Sequence, residues 1–308
     1  MAGMPDFYHR LLKAELHLHL EGSVTPDTLR ELAPELPAAA IREMYSFGNF
    51  EAFLQTFAGV VKRLRSPEDY ALVARRLLGS LEEQNVACAE IIVSAGVVLW
   101  KQQEFAPVFD ALRSACLGSR VRVAWILDAV RQFGVEHAMQ VAELAVERAG
   151  QGVVAFGIGG SEERGPASWF GEVFRFARKG GLRLTAHAGE TAGPDSIWAA
   201  LEIGAERIGH GIRAVEDPVL LRHLRERNIP LEVCITSNIA TGAVASYDAH
   251  PVRLLYDAGV PITLNTDDPG IFGTTLVDEY RLAAERYGFT EDELTRLATN
   301  SFRYAFCP

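Results

Sequence analysis

Histidines and carboxylates at the ends of short apolar runs are the residues of this chain best placed to do chemistry. His17 and His19 lie two residues apart in HLHLEGS, so on a β-strand both imidazoles point to the same face. Four further polar residues end other apolar runs, namely His187, His210, Asp267 and Asp268. Buried imidazoles are costly unless they are hydrogen-bonded or bound to a metal. Three imidazoles and a carboxylate suit zinc with one position open for water, so we predict one zinc ion per chain.

Glu190 follows His187 by three residues, just past a predicted strand end. A carboxyl group there can reach water at the metal without binding the metal, as a general acid or base must. The alternative is a glutamate in the first turn of a helix, where the helix dipole favours it. The remaining histidines stand in helical or loop contexts and are predicted to be surface or capping residues: His9, His137, His223 and His250.

Eight β-rich runs must position these side chains. They are predicted at Ala14–Leu20, Ala87–Ser94, Val121–Asp128, Val153–Ile158, Leu182–His187, Arg207–Gly209, Leu231–Ile235 and Pro261–Asn265. Several are almost continuously apolar, as expected for parallel strands that are buried on both faces. Helical periodicity predicts helices between them, including Asp69–Gln84, Val135–Ala149 and Pro218–Arg227.

Repeated strand–helix units predict an α/β protein, and eight of them in about 300 residues predict a (β/α)8 TIM barrel. The polar residues then lie at the carboxyl ends of strands, where barrel enzymes build their active sites. A doubly wound sheet is the alternative, but the first strand lacks the Gly-rich turn typical of that fold. We expect one domain over 1–308. A helical insertion at about 25–70 is either a lid over the barrel mouth or a packed subdomain.

Composition limits the classes of function. The chain has 308 residues, with 30 Lys and Arg against 40 Asp and Glu, which gives a net charge of −10. This charge disfavours nucleic acid, because phosphates are bound by basic groups. We expect no membrane segment, since no apolar run approaches the roughly 20 residues that one needs. The four cysteines include no C-x-x-C pair, and no signal peptide is evident, so we expect reduced thiols in a cytoplasmic protein.

The motifs together resemble the adenosine deaminase family of the amidohydrolase superfamily, from His17 to the last residues. They are HLHLEGS, HAGE at 187–190, GHGI at 209–212, SN-x-x-TGA at 237–243 and LNTDDP at 264–269. The resemblance implies a (β/α)8 barrel with one zinc ion, in agreement with the strand pattern. It also implies the zinc ligands, which would be His17, His19, His187 and Asp267.

The same resemblance assigns roles to four other residues. Glu190 matches the acid that protonates purine N1, and His210 matches the residue that orients the attacking hydroxide. Asp268 matches the residue that helps to hold that hydroxide and contacts N7. Gly160 matches the glycine whose backbone amide meets N3. The implied reaction is the hydrolytic release of ammonia from a 6-aminopurine.

Three positions differ from the adenosine-specific pattern of that family. Glu21 stands where an Asp usually contacts the ribose 5′-hydroxyl, Gly157 stands where many relatives have Asp, and the second strand lacks a common Arg. These changes affect the sugar side, so we expect a purine nucleoside altered at the 5′ position, with Glu21 and Gly160 among the substrate-binding residues.

Two stretches, FGIGG and EIIVSAGVVLW, resemble the bacterial branch that deaminates 6-amino-6-deoxyfutalosine. That menaquinone precursor is adenosine extended at C5′ by a carboxyphenyl-ketone arm, which aromatic residues of the insertion would suit. Adenosine or another 5′-modified adenosine is the alternative, and free adenine is less favoured.

Two other classes of function are compatible with such a barrel. A two-metal amidohydrolase usually carries a bridging Lys or Glu, and no bridging Lys is found on a strand. A non-catalytic binding protein would not need the full set of catalytic positions, all of which are present. We therefore expect an enzyme with a small-molecule purine substrate. The sequence does not indicate its oligomeric state.

Overall fold

Eight parallel strands form the centre of the molecule in a computed structural model that describes residues 6–307. They are β1 Lys13–His19, β2 Val86–Val93, β3 Arg122–Val130, β4 Val153–Gly159, β5 Arg183–Ala188, β6 Arg207–His210, β7 Leu231–Val233 and β8 Ile262–Leu264. Each strand pairs with the next in chain order. The first and last strands meet at a bridge between Leu18 and Asp267. The sheet therefore closes into the predicted (β/α)8 barrel.

Helices follow the strands and cover the outside of the barrel. They are α1 Phe7–Arg10, α2 Pro26–Leu32, α3 Ala38–Met44, α4 Phe50–Val61, α5 Pro67–Glu83, α6 Ala95–Trp100, α7 Phe105–Ala115, α8 Val135–Glu147, α9 Gly171–Lys179, α10 Pro194–Glu202, α11 Pro218–Arg227, α12 Ile235–Ala240, α13 Val252–Asp257, α14 Pro269–Phe272, α15 Leu276–Tyr287 and α16 Glu291–Arg303. None of the helices in the described part is long and apolar enough to cross a membrane.

The predicted helix boundaries agree with the structure where capping signals are strong. Ser66 and Asp69 form a capping box at the start of α5, with Pro67 in its first turn. The α11 helix has the predicted bounds and ends at Asn228, whose φ of 55° terminates it in the left-handed region. The last two strands are shorter than predicted. The apolar run of β7 continues beyond the sheet into α12, where Ile235 is buried.

The insertion at 25–70 contains α2, α3, α4 and the start of α5. Its aromatic side chains pack against the rest of the molecule. Phe53 is buried, and Tyr45, Phe47, Phe50 and Phe57 are half-buried against the main hydrophobic core. They pack on α14 as well, since the Phe53 and Phe272 rings lie 5.2 Å apart. The insertion is thus packed on the barrel, and its motion as a lid stays a prediction.

Cys88 on β2 and Cys307 near the end of the chain lie side by side, whereas Cys116 and Cys234 are free. The Cα atoms of the pair are 7.5 Å apart, farther than a disulfide spans without backbone movement, so the expectation of reduced thiols stays a prediction. The two cysteines are separated by 219 residues in the sequence, so the sequence did not indicate that they lie together. Their proximity arises because the segment after α16 folds back across the barrel, where the backbone N–H groups of Phe306 and Cys307 donate to Glu90.

A buried ion network connects this terminal segment with the barrel interior. Arg207 is 1% exposed and donates to Glu90 and to Glu232, both at 2.5 Å. It also donates to the carbonyl of Tyr304 at 2.9 Å, and its guanidinium lies 3.6 Å from the centre of the Phe306 ring. One cation between two buried carboxylates leaves the network anionic, so removing that cation is costly.

We predict that Arg207→Met lowers the free energy of unfolding by about 3–5 kcal/mol, because two buried carboxylates lose their cation. Urea unfolding of the purified protein measures this change. Arg30→Met is the control, since Arg30 pairs with Asp27 at the surface and both side chains are exposed. Equal stability of the two variants would show that the network adds nothing to the fold.

Candidate active site

The four predicted zinc ligands come together at the carboxyl end of the barrel. Nε2 of His17 and Nε2 of His19 each lie 3.3 Å from Oδ1 of Asp267, and Nε2 of His19 lies 3.1 Å from Nε2 of His187. All four residues are buried, and one ligand atom from each lies within 4.8 Å of the others. The sequence-derived set is thus a cluster in space.

The spacing of these atoms is that of a zinc site. Ligand atoms about 2.0–2.2 Å from a tetrahedral zinc ion lie roughly 3.3 Å from one another. Nε2 of His17 is also buried without a hydrogen-bond partner among the described residues. The four side chains are of the types that bind zinc, and none of them provides a proton to hydrogen-bond the others. A cation bound between them would satisfy all four.

Neighbouring groups fix which nitrogen of His17 and of His187 faces the cluster. Nδ1 of His17 lies 2.8 Å from Oε2 of Glu232, and Nδ1 of His187 lies 3.2 Å from the carbonyl oxygen of Ile158. Both acceptors require the proton on Nδ1, so Nε2 is left with its lone pair toward the metal position. Ser237 acts similarly on the carboxylate, because its hydroxyl donates to Oδ2 of Asp267 at 2.6 Å.

Glu190 lies beside this cluster without belonging to it. Its Oε2 is 3.7 Å from Nε2 of His210. Burial, reinforced by the negative charge of Asp267, raises the pKa of Glu190 well above its ordinary value. The same two causes raise the pKa of Asp268. A carboxyl group that keeps its proton in a dry pocket is suited to act as a general acid.

The loop after β5 is positioned by Glu162, which the sequence analysis did not single out. Its carboxylate accepts hydrogen bonds from the backbone N–H groups of Gly189 at 2.7 Å, Glu190 at 3.0 Å and Thr191 at 2.8 Å. The N–H of Ala192 donates to it as well, at 3.3 Å. Four backbone donors on one carboxylate fix the direction in which the Glu190 side chain leaves the loop. The only sequence signal was its place just after FGIGG, at the end of β4.

A chain of side chains orients His210, which ends β6. The amide of Asn238 donates to Nδ1 of His210 at 3.1 Å, and its Oδ1 lies 3.1 Å from Nε2 of His250. With Nδ1 as the acceptor, the proton of His210 is on Nε2, which faces Glu190 and Asp267. His250 was predicted to be a surface or capping residue. It is not at the surface, since it is 5% exposed and belongs to this chain, but its Nδ1 accepts the backbone N–H of Val252 at the start of α13 at 3.2 Å, as a capping residue does.

A cavity of about 380 Å³ opens from the cluster toward α4 and α6. The polar part of its lining includes His19, His187, Glu190, His210, Asp267, Asp268 and Asp128, together with Gly159 and Gly160. The rest is mainly aromatic and aliphatic with two lysines, and we call it the aromatic chamber: Phe50, Phe53, Leu54, Phe57, Val61, Lys62, Val97, Trp100, Lys101, Val130 and Phe133. The Trp100 and Phe133 rings are stacked 5.9 Å apart, and the Phe57 ring lies 6.4 Å from that of His19. The cavity thus places apolar side chains next to the metal centre.

Two of the predicted substrate-binding residues are placed differently. Gly160 lines the cavity with a φ of +92°, and a Cβ there would lie 2.3 Å from Oε1 of Gln132, so only glycine suits the position. Glu21 is fully buried and is not among the cavity-lining residues. Its carboxylate accepts the N–H of Ser94, which does line the cavity. A contact between Glu21 and a sugar therefore stays a prediction.

Comparison with known proteins shows which family this chain is similar to. Residues 12–308 match the family model described as "Adenosine deaminase". The chain is 38% identical over 315 residues to the aminodeoxyfutalosine deaminase of Streptomyces avermitilis, an alignment that covers 98% of this chain and 88% of the relative. It is 35% identical over 305 residues to the adenine deaminase of Agrobacterium fabrum, with 96% and 94% covered.

The chain belongs to the adenosine deaminase family.

Solved structures of this family superimpose closely. The adenine deaminase of Arthrobacter aurescens has a TM-score of 0.89 at 28% identity and covers 96% of this chain and 94% of its own. An amidohydrolase of Burkholderia ambifaria with bound Zn has a TM-score of 0.91 at 26% identity, with 100% and 90% covered. This adenosine deaminase family member is therefore a zinc-dependent hydrolase acting on a C–N bond, and its substrate is a small aminopurine.

We predict that Gly209→Ala strongly weakens zinc binding. A Cβ at this position on β6 would lie 2.7 Å from Cε1 of His17 and 3.3 Å from the Cα of His187, so the His17 ring must move. Zinc content after dialysis against a chelator measures the effect. Gly79→Ala on α5 is the control, because nothing lies within 4 Å of its added Cβ. Full zinc retention in the Gly209 variant would contradict the geometry.

Proposed function

We propose that this chain hydrolytically deaminates a 6-aminopurine nucleoside in the cytoplasm, and that the natural nucleoside is 6-amino-6-deoxyfutalosine of the futalosine route to menaquinone. The observation that carries the proposal is the cavity, whose lining combines the acid–base and metal-binding groups with the residues of the aromatic chamber. A purine at the metal centre leaves the chamber for a 5′ substituent with an aromatic ring. The likeness to aminodeoxyfutalosine deaminase supports the same substrate.

In this proposal Glu190 is the general acid at the purine ring. Its retained proton is delivered to N1, which lets the ring accept electrons when C6 is attacked. The backbone N–H of Gly160 donates to N3, and Asp268 contacts N7, so three edges of the ring are fixed. Glu190 then helps to pass a proton to the departing amine, which leaves as ammonia.

His210 acts on the attacking water. Its Nε2 proton points toward Oε2 of Glu190 and Oδ2 of Asp267, at 3.7 and 3.8 Å, where it can orient an oxygen nucleophile. His17, His19, His187 and Asp267 would hold the zinc ion, which would supply a water of lowered pKa, about 7, at this position. Asp268 helps to hold the nucleophile beside C6.

Free adenine is the second candidate substrate, and the comparisons favour it more than the sequence motifs do. Several relatives at 33–35% identity, such as that of Agrobacterium fabrum, are named adenine deaminase. Adenosine and other 5′-modified adenosines remain candidates on the motifs alone. The aromatic chamber supports a nucleoside with a large 5′ group, because a free base would leave the chamber to solvent.

A direct comparison of kcat/KM for 6-amino-6-deoxyfutalosine, adenosine, methylthioadenosine and adenine tests the substrate. We predict the highest value for 6-amino-6-deoxyfutalosine, since burial of an aromatic arm gives up to about 25 cal/mol per Å² of apolar surface. A higher value for adenine than for any nucleoside would contradict the proposed substrate and leave the deaminase class intact.

We predict that Glu190→Gln lowers kcat by about 10²–10⁴-fold, because the amide cannot deliver the proton. Bound zinc should be unchanged, as Glu190 is not a ligand. Ammonia release and zinc analysis on the same sample measure both. Glu172→Gln, at an exposed position on α9, is the control. Activity of the Glu190 variant close to that of the wild type would sink the proposed role.

A further inference from the structure

We propose that Asp128 is a substrate-contacting residue that accepts a hydrogen bond from a ribose hydroxyl group and so selects nucleosides over free bases. The inference rests on the proposed function, which places a purine in the cavity. The motifs that identify the family assign no role to Asp128, and the sequence analysis noted it only as the end of a predicted strand.

Asp128 lies near the carboxyl end of β3, the end of the barrel that carries the metal cluster. Its side chain lines the same cavity as Glu190, His210 and Asp268, yet the residue is only 4% exposed. The small exposed part faces the cavity, since Asp128 is one of its lining residues. A ligand in the cavity would therefore meet this carboxylate.

No hydrogen bond or ion pair to the Asp128 carboxylate is found within residues 6–307, and no hydrogen bond contributes to the shift of its pKa. Neither carboxylate oxygen is among the fully enclosed polar atoms that lack a partner, as expected for oxygens that reach the cavity. Arg131 is the positive group that most affects it, and this guanidinium donates instead to the carbonyls of Gly165, at 2.8 Å, and His187. Burial accordingly raises the pKa of Asp128 to about 7. A buried carboxylate without a donor is costly, so a ligand that brings a donor gains the hydrogen bond without displacing a protein partner.

Two glycines on the neighbouring strand leave space around this carboxylate. Asp128 pairs in register with Gly157, and Val130 pairs with Gly159. A Cβ on Gly157 would lie 2.8 Å from Oδ1 of Asp128, and a Cβ on Gly159 would lie 2.8 Å from Oδ2. Both oxygens thus lie against bare backbone on the β4 side, and a side chain there would displace them. The two glycines therefore allow the Asp128 carboxylate to occupy the position that it has in the structure.

The chemistry of the ligand limits which group can donate. In the proposed orientation N3 and N7 of the purine accept hydrogen bonds, N1 accepts a proton from Glu190, and the 6-amino group leaves at the metal end. In a nucleoside N9 carries the sugar and has no hydrogen. The ribose 2′- and 3′-hydroxyls are then the donors available to Asp128, and both are present when the 5′ position is modified. Free adenine has neither hydroxyl group. If its N9–H donated to Asp128 instead, replacing Asp128 would weaken the binding of purine and of the riboside equally, which is the result that would overturn the inference.

Equilibrium binding of purine riboside and of purine, measured by calorimetry on the zinc-loaded protein, tests this inference without turnover. We expect Asp128→Asn to weaken riboside binding by about tenfold or more, because a hydrogen bond to a charged group is lost. Binding of purine should change by less than about twofold. Asp110→Asn, at an exposed position on α7, is the control for unspecific effects.

The 2′-deoxy and 3′-deoxy ribosides identify the hydroxyl. The wild-type protein should bind one of these deoxyribosides about tenfold more weakly than the riboside. The Asp128→Asn variant should bind that deoxyriboside and the riboside equally well. Equal losses for riboside and purine, a loss for purine alone, no loss in the variant, or no riboside binding by the wild type would each overturn the inference. Turnover of the wild type on the aminopurines tests the proposed function separately, since the riboside has no amino group to release.

Discussion

Closure of the barrel between its first and last strands is the constraint on which the site depends. The N–H of His19 donates to the carbonyl of Asp267 at 2.8 Å, and the N–H of Asp267 donates to the carbonyl of His17 at 3.1 Å. These two bonds join residues about 250 positions apart in the chain and bring the carboxylate between the two imidazoles. Asp267 has a φ of 65° and His210 a φ of 61°, so the backbone is strained at two strand ends that carry chemistry. The fold maintains that strain because both residues are buried and hydrogen-bonded, with only the side toward the cavity open.

A buried network of charged side chains connects the metal position with the rest of the barrel. Glu232 bonds His17 on one side and Arg207 on the other, and Arg207 in turn bonds Glu90 and the terminal segment. The −10 charge of the chain is therefore only partly a surface property, since several of its acids lie in the interior. Each buried acid faces a donor, a cation or the cavity, and those that face the cavity are the groups available to a ligand.

Local patterns in the sequence were sufficient for the fold and for the set of polar residues around the metal position, and the family resemblance indicated which four of them would be ligands. Apolar runs mark buried parallel strands, and polar residues at their ends must meet at one face of a barrel, so His187 and His210 could be located without a structure. Side chains that act through hydrogen bonds to backbone could not be found this way. Glu162 binds four N–H groups of a distant loop, and His250 reaches His210 only through Asn238. Nothing in their own neighbourhoods indicates those partners, and the same is true of Cys307.

The measurement that tests the account most directly is turnover in water enriched in heavy oxygen, with ammonia quantified beside the purine product. Hydrolytic attack at C6 replaces the amino group by oxygen from water, so each ammonia released should be matched by one heavy oxygen at C6 of the product. Loss of this label, or release of ammonia without a 6-oxopurine product, would contradict the assignment of His17, His19, His187, Asp267 and Glu190 to a hydrolytic deaminase centre.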